Sequence, residues 1–136
     1  MKALSIRAPW WWFILHGGKD VENRGWRCWH RGPLLIHASS WWRHDEVLAD
    51  LATAMEIVGP AGFGRLPDES LVDLRARGGH VVGRVTMTTC TLGHPSPWFF
   101  GRFGFVLAEP VAFARPFPWK GRLGLFDVSD KMFYHE

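Results

Sequence analysis

The stretch Val81-Val82-Gly83-Arg84-Val85-Thr86-Met87-Thr88-Thr89-Cys90-Thr91-Leu92 is the clearest single element in the sequence. It is dense in valine and threonine, whose branched side chains suit a pleated, half-buried surface better than a helix. Working outward, Phe103 to Leu107 and Leu123 to Val128 read as two further strands. Val111 to Phe117 is ambiguous, an extended segment that Pro116 and Pro118 would break. Upstream, Leu34 to Ala38 is apolar enough for a buried strand, Lys2 to Arg7 alternates apolar and polar, and Val21 to Asn23 makes a short strand. Trp26 to Gly32 and Gly93 to Gly101 read as loops.

Helices fall between the strands without regular alternation. Pro9 suits a helix first turn, and that helix runs to about His16, where Gly17 and Gly18 end it. From Asp45 to Val58, Val47, Leu48, Leu51, Met55 and Val58 recur at helical spacing with acids between them. Pro67-Asp68-Glu69-Ser70 opens a second short helix, closed by Gly78 and Gly79. A regular strand–helix alternation would indicate a parallel doubly wound sheet; its absence points to an α+β fold, a small, mostly antiparallel barrel with helices packed outside.

The chain has 136 residues, 47% of them hydrophobic and 21% charged, which fits one globular domain and excludes a disordered chain. Nine Trp and ten Phe are more ring surface than a small core hides easily, so part of it is expected to line a groove. The net charge of +3 is uneven: +5 over residues 1–44, −4 over 45–77 and +2 over 78–136. An acidic helical insertion at about 45–77 therefore sits on a basic domain, and the basic part calls for an anionic partner. Two cysteines make no disulfide framework, and the eight-residue apolar run Ala8 to Leu15 lacks a cleavage site. A cytoplasmic protein without a membrane span is the expectation.

The richest chemistry lies in Gly17-Gly18-Lys19-Asp20-Val21-Glu22-Asn23-Arg24-Gly25-Trp26. A glycine turn can deliver Lys19 and Glu22 to one surface, where a lysine beside a carboxylate binds phosphate or, if buried, serves as an acid/base pair. Arg24 adds a fixed cation for phosphate or a base edge, and Trp26 a flat face for stacking. A surface ion pair beside a core tryptophan would give the same pattern. Arg7, Arg27, Arg31 and Arg43 interleave with Trp29, Trp41 and Trp42, as suits single-stranded nucleic acid, though solvated arginines over a core would look alike. Cys28, His30, Cys90 and His94 have poor zinc spacing, so no metal and no cofactor is expected. His37 reads as a satisfied buried histidine. Gly59 to Gly64 lacks the context of a phosphate loop. Trp10, Trp11 and Trp12 cannot all face one way on a helix, so at least one is partly exposed.

The segments Leu4-Ser5-Ile6-Arg7, Pro9-Trp10, Gly18 to Trp26, Arg31 to Ser39, Ser96-Pro97-Trp98-Phe99, Gly104 to Leu107 and Gly121 to Phe126 together resemble the ASCH domain. The resemblance spans about residues 3–128, and its core is Gly17-x-Lys19-x-x-Glu22-x-Arg24-x-Trp26. It implies a PUA-like β-barrel with a cleft beside the Gly-Lys turn, binding RNA or DNA. Some relatives remove the acetyl group of N4-acetylcytidine, and ribonuclease activity is also associated with the family. In the amidohydrolases a lysine matches Lys19, but the nucleophilic threonine position is Glu22 here, and Ala8 stands where the family usually has glutamine.

The reading that follows is a nucleic-acid-binding domain with RNA or DNA as partner, single strands favoured. Arg7, Lys19, Arg24 and Arg31 would hold phosphates, Trp26 and Trp98 would stack on a base, and Ser5, Glu22 and Ser96 would bond base edges. The alternative is a hydrolase of a modified nucleoside or of RNA, with Lys19 and Glu22 as the catalytic pair.

Overall fold

In the computed structural model, which describes residues 1–59 and 71–129, six strands form one mixed sheet that curls into a half-barrel. In chain order the elements are β1 (Lys2–Ile6), α1 (Trp10–His16), β2 (Val21–Arg24), β3 (Gly32–Ala38), α2 (His44–Val58), α3 (Leu71–Ala76), β4 (His80–Thr91), β5 (Phe103–Pro118) and β6 (Leu125–Asp127). The sheet order is β2-β5-β4-β3-β1-β6. Only β1 and β3 run parallel, with Leu4 opposite Ile36 and Ser5 opposite His37; all other pairs are antiparallel. The expected α+β architecture is present, with β2 and β6 as the edges of the curl.

Period-two alternation divides the buried apolar residues of β1 and β3 between two cores. Leu4 and Ile6 of β1, with Leu34, Ile36 and Ala38 of β3, join the larger cluster, which also holds Trp11, Trp12, Phe13 and Ile14 of α1. Ala3 and Leu35 face the opposite way, into a smaller cluster with Val81, Phe117, Phe126 and Val128. β3 is buried on both faces, which is why its sequence is nearly continuous in apolar residues. α1 lies against β5, β3 and β4. Trp11 and Trp12 are buried while Trp10 is partly exposed, as the 100° step of a helix requires.

Three expectations are corrected. Phe103 to Leu107 and Val111 to Phe117 are one strand, β5, rather than two segments. Pro110 and Pro116 lie at irregularities of the β4–β5 ladder, between Arg84 and Thr86 and between Val81 and Gly83 respectively, where no paired N–H is required of them. Glu109, beside the first, adopts φ 53°, a bulge conformation. Second, Pro9 is the cap residue ahead of α1, its carbonyl accepting from the N–H groups of Trp12 and Phe13. Third, the buried residues of α2 are Val47 and Ala54, with Leu51 and Val58 against the larger core, while Leu48 is exposed. Most of Gly59 to Gly64 and the Pro67–Ser70 helix start lie outside the described residues. Among the described residues no helix is long and apolar enough to cross a membrane, and no cluster of metal-ligating side chains occurs.

Candidate nucleic-acid interface

The α1–β2 turn builds the floor of the site. The carbonyl of Phe13 accepts from both the Gly17 and the Lys19 N–H groups, at 2.9 and 3.0 Å. Gly18 makes this reversal possible with φ 77°, a conformation glycine adopts without steric cost. The reversal drops Lys19 beneath two rings, its Nζ lying 5.3 Å from the Trp10 centroid and 5.5 Å from that of Trp98. β2 then runs antiparallel to β5, with Glu22 opposite Phe105 and Arg24 opposite Phe103.

Three charges meet there. Lys19 is 4% exposed and Glu22 7%, and their charged atoms stand 3.7 Å apart. The Arg24 Nη2 donates to Glu22 Oε2 at 2.9 Å and to the Ser5 carbonyl at 2.9 Å. The Lys19 ammonium also donates to the Val21 carbonyl. Burial pushes the Lys19 pKa below its usual value of 10.5, and the Glu22 carboxylate only partly restores it. Among the sequence alternatives, the surface ion pair is thereby replaced by a buried network.

Above this network is a cavity of about 540 Å³. Its polar lining comes from Ser5, Glu22, Asn23 and Arg24, with Arg7 and Thr53 beside them. Its apolar lining is the rings of Trp10, Trp98 and Phe100. Asn23 ties the far wall in place: its Nδ2 donates to the Trp98 carbonyl at 2.9 Å, and its Oδ1 accepts from the Phe100 N–H at 2.7 Å. Arg7 stands at an exposed position, its guanidinium 4.3 Å over the Trp41 ring and 4.0 Å from Glu46. Among the described residues, Arg7, Lys19 and Arg24 against the single carboxylate Glu22 leave the lining cationic.

Ser5 is oriented from behind. His37 is 2% exposed, with Nε2 2.7 Å from the Trp119 carbonyl and Nδ1 2.9 Å from Ser5 Oγ. A carbonyl only accepts, so Nε2 carries the proton, Nδ1 accepts, and the Ser5 hydroxyl donates to it. Burial pushes the His37 pKa below 6.5, which favours this neutral tautomer. His37 is thus the satisfied buried histidine expected of its sequence position.

Ser5, Arg7, Lys19, Glu22, Arg24 and Trp98, six of the residues singled out in the sequence, come together here. Trp26, Arg31 and Ser96 lie outside the cavity. Trp26 packs edge-on against Phe105 with centroids 5.1 Å apart, and Arg31 Nη1 donates to the Cys28 and His30 carbonyls. The Ser96 hydroxyl donates to Asp20 and accepts from the Trp98 N–H, so it holds the loop that carries Trp98. Lys19 is too enclosed to meet a phosphate backbone, and Trp98, 5% exposed, shapes a wall rather than offering an open face. Sequence reasoning gave no role to Asn23, Phe100 or Thr53. A polar Asn between an acid and a base on a short strand was the available sign for the first; Phe100 and Thr53 arrive from distant segments and carry no local signal.

A mixed sheet of six strands curled into a half-barrel, with three helices, fits the PUA-like class of domains. A model of the ASCH domain matches residues 4–132, and the chain belongs to the ASCH domain family, a family generally associated with RNA. No curated protein matches the chain.

Proposed function

We propose that the protein binds RNA, admitting one base of a single strand into the cavity between β2, α1 and the 93–102 loop. The observation that carries this reading is the cavity's composition. The rings of Trp10 and Phe100 supply apolar contact with Trp98 closing the wall, and Ser5, Asn23, Glu22 and Arg24 supply donors and acceptors at its polar side. Its volume of about 540 Å³ falls in the usual range for small-ligand pockets, about 300–1,000 Å³. Glu22, an acceptor with lone pairs beyond its two ion pairs, suits an exocyclic amino group on the base. Fluorescence anisotropy with labelled single-stranded RNA, single-stranded DNA and duplex DNA at two salt concentrations tests the reading. Binding is expected to favour single-stranded RNA and to weaken in Arg24→Ala; equal binding of all three polymers, unaffected by that substitution, would refute it.

A second reading rests on the burial of Lys19 and Glu22 at the cavity floor. A buried ionisable group whose pKa is shifted, as that of Lys19 is lowered by burial, is a candidate for acid/base chemistry when it lies in a cleft. Here Lys19 and Glu22 would activate water against a modified nucleoside such as N4-acetylcytidine, or against RNA. Turnover that survives in Glu22→Gln would remove this reading.

A further inference from the structure

A second cavity, of about 560 Å³, adjoins the first and shares Ser5, Arg7 and Arg24 with it. Its outer wall is the Trp119–Gly124 segment between β5 and β6, and its inner wall includes Ser39 and Ser40 after β3. Among the described residues four cations line it, Arg7, Arg24, Lys120 and Arg122, and no carboxylate does. Lys120 and Arg122 are exposed and make no ion pair among the described residues. Arg24 bridges the two spaces: Glu22 and the Ser5 carbonyl engage its Nη2, and a guanidinium has five N–H donors, so others remain. Gly121 brings this segment close; a Cβ there would stand 2.7 Å from His37 Cε1 and 3.2 Å from Ser5 Oγ.

We infer that this second cavity is a phosphate-ester subsite, taking the phosphate next to the base held in the first. Cationic side chains and serine hydroxyls, with no carboxylate among the described residues, form a lining suited to phosphate oxygens. The shared wall of Ser5, Arg7 and Arg24 makes base and phosphate one bipartite ligand. The inference rests on the base-binding reading for the identity of that ligand, though the anion site itself does not need it. The phosphate could belong to a strand or to a free mononucleotide.

The test uses the full chain and its Lys120→Gln/Arg122→Gln variant, both changes being at exposed positions. A ten-nucleotide single-stranded RNA, a set of 5′-mononucleotides with their nucleosides, and inorganic phosphate are titrated against each protein. The variant is expected to bind the RNA about tenfold more weakly, with a plot of log affinity against log salt flatter by about 1. Inorganic phosphate should raise the melting temperature of the unmodified protein and leave that of the variant unchanged. Mononucleotides binding tighter than their nucleosides would assign the site to free nucleotides as well as strands. RNA binding with unchanged affinity and slope in the variant would overturn the phosphate subsite and leave base binding standing. Phosphate binding that depends on Lys120 and Arg122, without RNA binding, would keep the subsite and remove the RNA reading. Binding of neither probe would remove both.

Discussion

Replacing Glu22 by Gln tests whether the floor of the site is a dry charge network. Glu22 is the one carboxylate between Lys19 at 3.7 Å and Arg24 at 2.9 Å. At an effective dielectric of about 20, the Coulomb terms at those separations are each about 4–6 kcal/mol before desolvation is subtracted. Removing one partner of a buried pair typically costs about 3–5 kcal/mol. Two features lower the figure here. Gln keeps an acceptor oxygen for Arg24, and Arg24 is 24% exposed, so water recovers part of its charge. The expected loss is about 2–3 kcal/mol, a fall in melting temperature of about 6–12 °C for a chain this size. Lys19→Met should cost about 1–2 kcal/mol, because Glu22 keeps Arg24, and the double variant should lose at least about 1 kcal/mol less than the sum.

The pH dependence gives the sharper test. Lys19 has a native pKa below 10.5, so the unfolded chain holds the proton more tightly, and stability rises with pH between the native value and 10.5. Without Glu22, burial still depresses Lys19, and of the groups that raise it only the smaller contribution of Asp20 remains, which the opposing charge of Arg24 offsets in part. The window then opens at lower pH, and the deficit of Glu22→Gln relative to the unmodified protein should shrink as pH rises. Urea unfolding at a series of pH values from neutral upward measures it. A loss under about 0.5 kcal/mol at neutral pH, or a deficit that stays constant with pH, refutes the buried network.

Asn23→Ala should cost about 1–2 kcal/mol, since it frees the Trp98 carbonyl and the Phe100 N–H. It should also weaken RNA binding with little change in salt slope, because no cation is lost; an altered slope in the anisotropy titration would contradict this. Gly83→Ala places a Cβ 2.5 Å from the Val111 carbonyl oxygen and 2.7 Å from Leu15, and should destabilise by about 2–3 kcal/mol in urea. Gly25→Ala, with nothing within 4 Å of the added carbon, should stay within about 0.5 kcal/mol. For His37, whose native pKa is depressed, the unfolded chain gains a proton first as pH falls below 6.5, so stability declines there by up to about 1.4 kcal/mol per pH unit until the native value is reached. His37→Gln should lack that component, and parallel urea-midpoint profiles for the two proteins would refute it.

The strands were legible where the side chain itself carries the preference. Val81 to Thr91 and Leu34 to Ala38 are apolar or β-branched because both belong to central strands. β5 was legible only in halves, because a proline reads as a stop unless the partner strand is known to bulge opposite it. The Gly18-Lys19-x-x-Glu22-x-Arg24 spacing announced a charged site, but not its depth. Whether Lys19 is on the surface or sealed under Trp10 and Trp98 depends on the 93–102 loop, and that loop is placed by Asn23 and by Ser96 with Asp20. Such long-range ties have no period and leave no trace in a local window. The second cavity depends in the same way on Lys120 and Arg122 meeting the end of β1.

β1 is flanked by β3, which follows it by some thirty residues, and by β6, whose residues 125–127 come from the far end of the chain. On a ribosome, β1 therefore emerges long before the strand that seals its outer side. Until β6 arrives, one side of Lys2–Ile6 presents unpaired N–H and C=O groups, and Phe126 and Val128 are missing from the smaller core. The wall that carries Lys120 and Arg122 is drawn up against Ser5 by the same late strand. Synthesis thus completes the sheet edge and the basic cavity together; a released chain truncated after residue 124 should show protease cleavage within residues 2–6 and lack the phosphate response.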